Sequence, residues 1–205
     1  MKTKEKLLAK ALALFNAEGI EQVSLRQIAR ALDISDGNLR YHYKTKSDLI
    51  EALYFQLVER LNQSIQAPER VDLKALFEGT RYVYELLLEY KFFMLNFVQL
   101  MRQHPKVKTH FVALQKVREQ QFDGFFMLLE QASLLKPTTF PNERSHLFRR
   151  FQILGDFWIS SGEILYEGDL KKMPDYYARL NLEMLFPYLT EEGKEAFFLL
   201  WNLTT

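Results

Sequence analysis

Apolar positions recur at helical spacing from one end of the chain to the other. Leu7, Leu8, Ala11, Leu14 and Phe15 fall at i, i+1, i+4, i+7 and i+8, predicting an amphipathic helix that stops at Gly19. Ser24, with Gln27 three positions later, has the capping-box pattern and opens a second helix with Leu25, Ile28, Ala29 and Leu32 on its buried face. Asp33 suits a turn position with positive φ. Ser35 caps a short third helix centred on Leu39. Ser47 caps a fourth that runs to about Gln66 and ends at Ala67-Pro68. Beyond it, long amphipathic segments cover about 73–90, 92–103, 105–135, 143–167, 174–189 and 191–203. Pro105, the run 136–141, Gly168-Asp169 and a Thr190 cap separate them, and Pro187 ends or kinks the fifth early.

No period-two alternation between turn signals suggests a hairpin, so the pattern predicts an all-α protein of nine or ten helices. The division it suggests is a small three-helix head over 1–47 and a larger helical body over 48–205. Aromatics make up 14% of the 205 residues, with 17 Phe and 10 Tyr, enough for large buried surfaces or an apolar pocket. The lack of Cys excludes a disulfide framework and thiol catalysis. The greasiest runs, 92–101 and 196–203, are too short and interrupted to span a bilayer, and the chain starts without a signal-like core. A soluble cytoplasmic protein is expected, with no membrane association. Net charge is only +1, but residues 1–50 hold nine Lys/Arg against six Asp/Glu. The excess basic charge therefore sits in the head.

The second and third helices have the chemistry of a helix-turn-helix. Ile28, Ala29, Leu32, Ile34 and Leu39 supply a small and apolar inner face, with Ala29 setting how closely the helices approach. Asp36, Asn38, Arg40, Tyr41 and His42 supply a polar outer face suited to base edges and phosphates. Tyr43 fits the core better than a contact.

The spacing of Ile28, Ala29, Ile34, Ser35, Gly37, Leu39, His42, Tyr43, Lys46, Leu49 and Ile50 resembles the head of the TetR family of transcription regulators. The preceding helix end, Phe15-Asn-Ala-Glu-Gly19, resembles it too. The likeness covers about residues 5–55. It implies that Asp36, Gly37 and Asn38 face base edges, and that His42 and Lys46 contact phosphate. Ser24 and Arg26 add contacts from the start of the second helix, and Ser35 begins the third. Asn38 suits adenine, Asp36 a cytosine amino group, and Tyr41 a thymine methyl or a phosphate. Arg40 and Asp36 depart from the family pattern, and Arg40 suits a guanine or a phosphate. The resemblance further implies a homodimer on an inverted-repeat operator in double-stranded DNA, acting by default as a repressor and released by a small-molecule effector.

In the body, Phe151, Leu154, Trp158, Ser161 and Leu165 form a stripe which, with Gly162 and the late Phe197 and Trp201, is the expected dimer interface. The expected effector site is the aromatic and Met-rich middle: Phe93, Phe97, Met101, Phe122 and Phe126, with Asn96, Gln99, Gln152 and Asp156 as its polar groups. A moderately apolar effector follows. The four His have no recognisable metal-ligand spacing, and the acidic helix with Glu183 near Asp175 lacks the Glu-x-x-His pattern of di-iron bundles, so neither enzyme, metal nor cofactor is expected. The competing reading is a helical adaptor whose head has lost DNA binding.

Overall fold

The structure is a computed structural model that describes residues 3–64 and 72–204. All its regular elements among these residues are helical: α1 (Thr3–Glu18), α2 (Leu25–Arg30), α3 (Asp36–His42), α4 (Lys46–Ser64), α5 (Leu73–Glu89), α6 (Lys91–Leu95), α7 (Phe97–Gln103), α8 (Pro105–Gln131), α9 (Glu143–Leu165), α10 (Met173–Glu183) and α11 (Glu191–Thr204). Short 3-10 turns lie at Leu170–Lys172 and Phe186–Tyr188.

The head folds as its pattern predicts. Leu7, Ala11, Phe15, Ile28, Ala29 and Leu39 are all buried, joining α1, α2 and α3 to the start of α4 through Leu49. Gly19 closes α1 at φ +84°, its N–H donating to the Phe15 carbonyl at 3.1 Å. A residue with a Cβ is rarely stable there. Asp33 takes φ +53° in the turn, and the Ile34 N–H behind it returns to the Ala29 carbonyl at 3.1 Å. That turn brings α3 across α2.

Three sequence expectations shift. The α4 cap is Thr45 rather than Ser47: the Thr45 N–H donates to Asp48 at 2.9 Å, and the Asp48 N–H returns to the Thr45 hydroxyl at 3.1 Å. The expected helix over 92–103 is broken at Asn96, whose side-chain amide donates to the Phe92 carbonyl at 2.7 Å. The segment over 174–189 ends at Glu183, with Pro187 in the 3-10 turn that follows. The Ala67-Pro68 break lies outside the described residues.

In the body, α10 runs along α5, and α9 packs on α6, α8 and α10. At the centre Tyr84 of α5 stacks on Trp158 of α9 with centroids 4.9 Å apart, and Asn181 of α10 donates to the Tyr84 hydroxyl at 2.6 Å. One helix, α4, belongs to both halves.

Candidate DNA-binding head and effector cavity

The two serine caps are formed. Ser24 and Gln27 make a reciprocal capping box on α2, and the Ser35 hydroxyl accepts the Asn38 N–H at 3.1 Å on α3. Capping fixes where α3 begins, and with it the direction in which its side chains project. Asn38, Arg40 and the 85% exposed Tyr41 face outward with Gly37, while His42 is half-buried with its ring edge against Tyr41. Arg26 is also exposed, on α2. Tyr43 is buried beneath them, and burial pushes its phenol up.

The two residues that depart from the family pattern are paired with each other. Arg40 Nε donates to Asp36 Oδ2 at 2.7 Å, one turn away on α3, and its terminal nitrogen donates to the Lys44 carbonyl at 3.1 Å. An exposed pair of this kind contributes only about 0.2–1 kcal/mol, so a base or phosphate can displace it. The pair also cancels the acidic charge that Asp36 would otherwise turn toward DNA.

Lys46 is placed differently from a plain phosphate contact. Its ammonium donates to the Ile20 carbonyl at 2.7 Å and the Val23 carbonyl at 3.1 Å, closing the α1–α2 loop. One N–H is left for a phosphate. The beginning of α4 is thus stitched into the head. Ser47, released from capping, meets His104 Nδ1 at 3.0 Å at the α7–α8 junction. On the other side of the head, the Asn16 amide donates to the Glu89 carbonyl at 2.7 Å and accepts the Phe92 N–H at 3.0 Å, bridging the α5–α6 elbow.

Further along, α4 lines a cavity of about 260 Å³ with Tyr54, Leu57, Val58 and Leu61. The opposite walls come from α5, α6, α7, α8 and α9 and include Tyr84, Phe93, Phe97, Phe111, Phe122 and Phe151. Of the expected effector residues, Phe93, Phe97, Phe122, Gln152 and Asp156 reach this cavity. The other four do not. Asn96 is bonded to its own turn, Gln99 donates to Glu21 of the head at 3.2 Å, Met101 is buried core, and Phe126 is buried behind Phe122 with rings 4.2 Å apart. Sequence reasoning missed the α4 wall. Its signal is a second apolar stripe, 54, 57, 58 and 61, beside the 49, 50 and 53 that pack the head.

Within the cavity Asp156 makes no hydrogen bond or salt bridge among the described residues, and burial pushes its carboxyl up to about 7, with Arg149 opposing that shift. Tyr54 meets His110 Nδ1 at 2.8 Å, and burial pushes its phenol up to about 12.

Most of the expected interface residues lie inside the protomer. Trp158 is fully buried against Tyr84, and Gly162 sits under Met173, where a Cβ would come within 2.5 Å of the sulfur. Ser161 accepts the Tyr177 hydroxyl at 3.2 Å, and Phe151 and Leu154 pack on the protomer's own core. Phe197 is buried, and Trp201 stacks on it at 5.5 Å. Only Leu165 of that set is open. The outward apolar side chains of α9 are instead Ile153, Phe157 and Ile164, joined by Phe198 and Leu199 on α11. The helix carries two apolar stripes, and periodicity alone does not say which one a protomer buries for itself.

Residues 7–53 match the family described as bacterial regulatory proteins, tetR family, and residues 56–197 match the family described as bacterial transcriptional repressor, TetR. A probable HTH-type transcriptional regulator, YttP, from Bacillus subtilis is 22% identical over 187 residues, covering 91% of this chain and 77% of its own. A TetR-family regulator from Marinobacter aquaeolei has the same fold at TM-score 0.88 and 24% identity, over 97% of each chain. A transcriptional regulator from Saccharomonospora viridis, solved with choline, aligns at TM-score 0.70 and 16% identity over 92% of this chain and 97% of its own. Head motif, helical body and matched families agree, and the chain belongs to the TetR family of transcription regulators.

Proposed function

We propose that the protein is a homodimeric repressor that binds an inverted-repeat operator through α3 and is released by a small apolar effector. The observation that carries this reading is the course of α4. One end is held in the head by Lys46, and the same helix forms a cavity wall with Tyr54, Leu57, Val58 and Leu61. A ligand that fits only one placement of α4 shifts the population of head orientations by its differential affinity. The choline bound by the Saccharomonospora viridis protein supports a small organic molecule as the kind of effector this fold admits.

The dimer is assigned to the outward face of α9, with Ile153, Phe157, Ile164 and Leu165, extended by Phe198 and Leu199 of α11. An apolar row of this length on a soluble chain favours burial against a twofold copy. The heads then lie about one DNA turn apart, the spacing of the two operator half-sites. On α3, Asn38 reads adenine, and Gly37 lets the backbone approach the groove. Arg40 is released from Asp36 on binding, while Arg26, Tyr41, His42 and the free N–H of Lys46 position the head on phosphates.

Selection of genomic fragments by the purified protein tests the whole reading. The expected result is a palindromic site bound by a dimer, with affinity that falls steeply as salt rises and drops about tenfold or more in Asn38→Ala. Recovery of no DNA would instead favour an adaptor with a degenerate head.

A further inference from the structure

The cavity walls are aromatic and aliphatic, yet they contain one carboxylate that nothing in the protomer neutralises. Asp156 is on α9, between Gln152 and the buried Trp158, and no hydrogen bond or salt bridge reaches it among the described residues. Arg149, two turns earlier on α9, is the cation that influences it, and it donates to Gln152 at 2.5 Å instead of to Asp156. The cation in the cavity lining, Arg118 of α8, is held by Asn62 and Gln121, both exposed to solvent. A desolvated carboxylate without a partner is unfavourable, and burial has already pushed this one up to about 7. Around it, Phe97, Phe111, Phe122 and Phe151 bring aromatic rings whose π faces attract a positive charge. Such a wall suits a cation with an apolar body better than it suits an anion.

We propose that the effector is a lipophilic organic cation, a single ammonium group on an apolar body, with Asp156 as its counter-ion. This rests on the cavity being the effector site and adds the chemical class. Arg118 then discriminates against a second positive charge. Binding supplies the partner Asp156 lacks and converts it to the ionised form, because the cation stabilises the carboxylate.

Three probes of one skeleton test the assignment on the full-length protein by titration calorimetry: phenylbutylamine, phenylbutanol and phenylbutyrate. The amine is expected to bind about tenfold or more tightly than the alcohol, equivalent to about 1.4 kcal/mol, and the carboxylate most weakly. In Asp156→Asn the amine is expected to fall to the level of the alcohol, while the alcohol affinity is retained and shows that the cavity remains folded. Tightest binding of the carboxylate would overturn the proposal in favour of Arg118 as anchor. Equal binding of all three, or an amine affinity unchanged in Asp156→Asn, would remove the cation and leave the cavity as the effector site. Failure of all three to bind would overturn the effector site itself.

Discussion

The head and the cavity differ in what their polar side chains are bonded to. In the head, Ser24, Ser35, Thr45 and Lys46 each complete the backbone of a neighbouring turn, and the exposed Arg40 is paired with Asp36, although Asp36 Oδ1 and the Tyr43 hydroxyl are buried without a hydrogen bond among the described residues. In the body, Asp156 is left without a partner beside the cavity, and Trp158 Nε1 and Asn181 Oδ1 are buried without a hydrogen bond among the described residues. The head must present one fixed surface to a duplex, and its turns are held by side-chain bonds to backbone, from the capping residues nearby and from Lys46 more distant in the chain. Under the proposed function the body responds to an effector, and a polar group without a partner favours the state that supplies one.

Ala29→Trp breaks the comparison most severely. Ala29 is 1% exposed, and its carbonyl receives the turn into α3. Overpacking there should abolish operator binding, a loss of about a hundredfold or more, while α5–α11 and the dimer persist. Gel shift and sedimentation of the same sample check both halves, and a monomeric product would show that head and body are not separable.

Asp156→Asn comes second, read as stability rather than binding. The carboxyl stays protonated in the folded protein up to about 7 but ionises from its ordinary 3.8 when unfolded. Between those values the folded state holds more protons, so stability falls as pH rises, and the full penalty applies above about 7. It is on the order of 4 kcal/mol, at about 1.4 kcal/mol for each pKa unit. Burial lowers the Arg118 guanidinium from a value far above this range, and the phenols of Tyr54 and Tyr84 remain protonated, since burial pushes both up. Urea denaturation should show the variant more stable than the native chain at pH about 8, with the gap closing near pH about 4. A gap independent of pH would assign the effect to packing.

Lys46→Met is the finest test. A lysine serving phosphate alone would weaken DNA binding without altering the free protein. With its two carbonyl bonds, its loss should also lower the stability of the head by about 2 kcal/mol, visible as early melting of α1 and α2 by hydrogen exchange.

What could be read in the sequence divides along the same line. Gly19, Ser24, Asp33 and Ser35 act on neighbours within a few positions, so their roles show directly in the residue order. The family resemblance covered this same region. The cap of α4 was misplaced by two positions because Thr45 and Ser47 carry the same hydroxyl; Asp48 three positions after Thr45 completes the capping pair, and Ser47 turns to His104. In the body, both stripes of α9 have helical spacing. The buried choice is made by Tyr84, Met173 and Tyr177, which come from distant parts of the chain. The cavity was legible in composition, through its aromatics and Asp156, while its α4 wall shows in the sequence only as a second apolar stripe, and that this stripe lines the cavity is decided by tertiary packing.

The paired grip of Asn16 on the backbone at Glu89 and Phe92 has a mechanical consequence. It gives the head a fulcrum against the body, while α4 is the arm attached on the other side. A helix of 19 residues is about 28 Å long, so tilting it by about 5° displaces its far end by about 2 Å. In the dimer proposed above the two displacements would add, so a small change at the cavity wall would alter how the two heads match the pitch of the double helix.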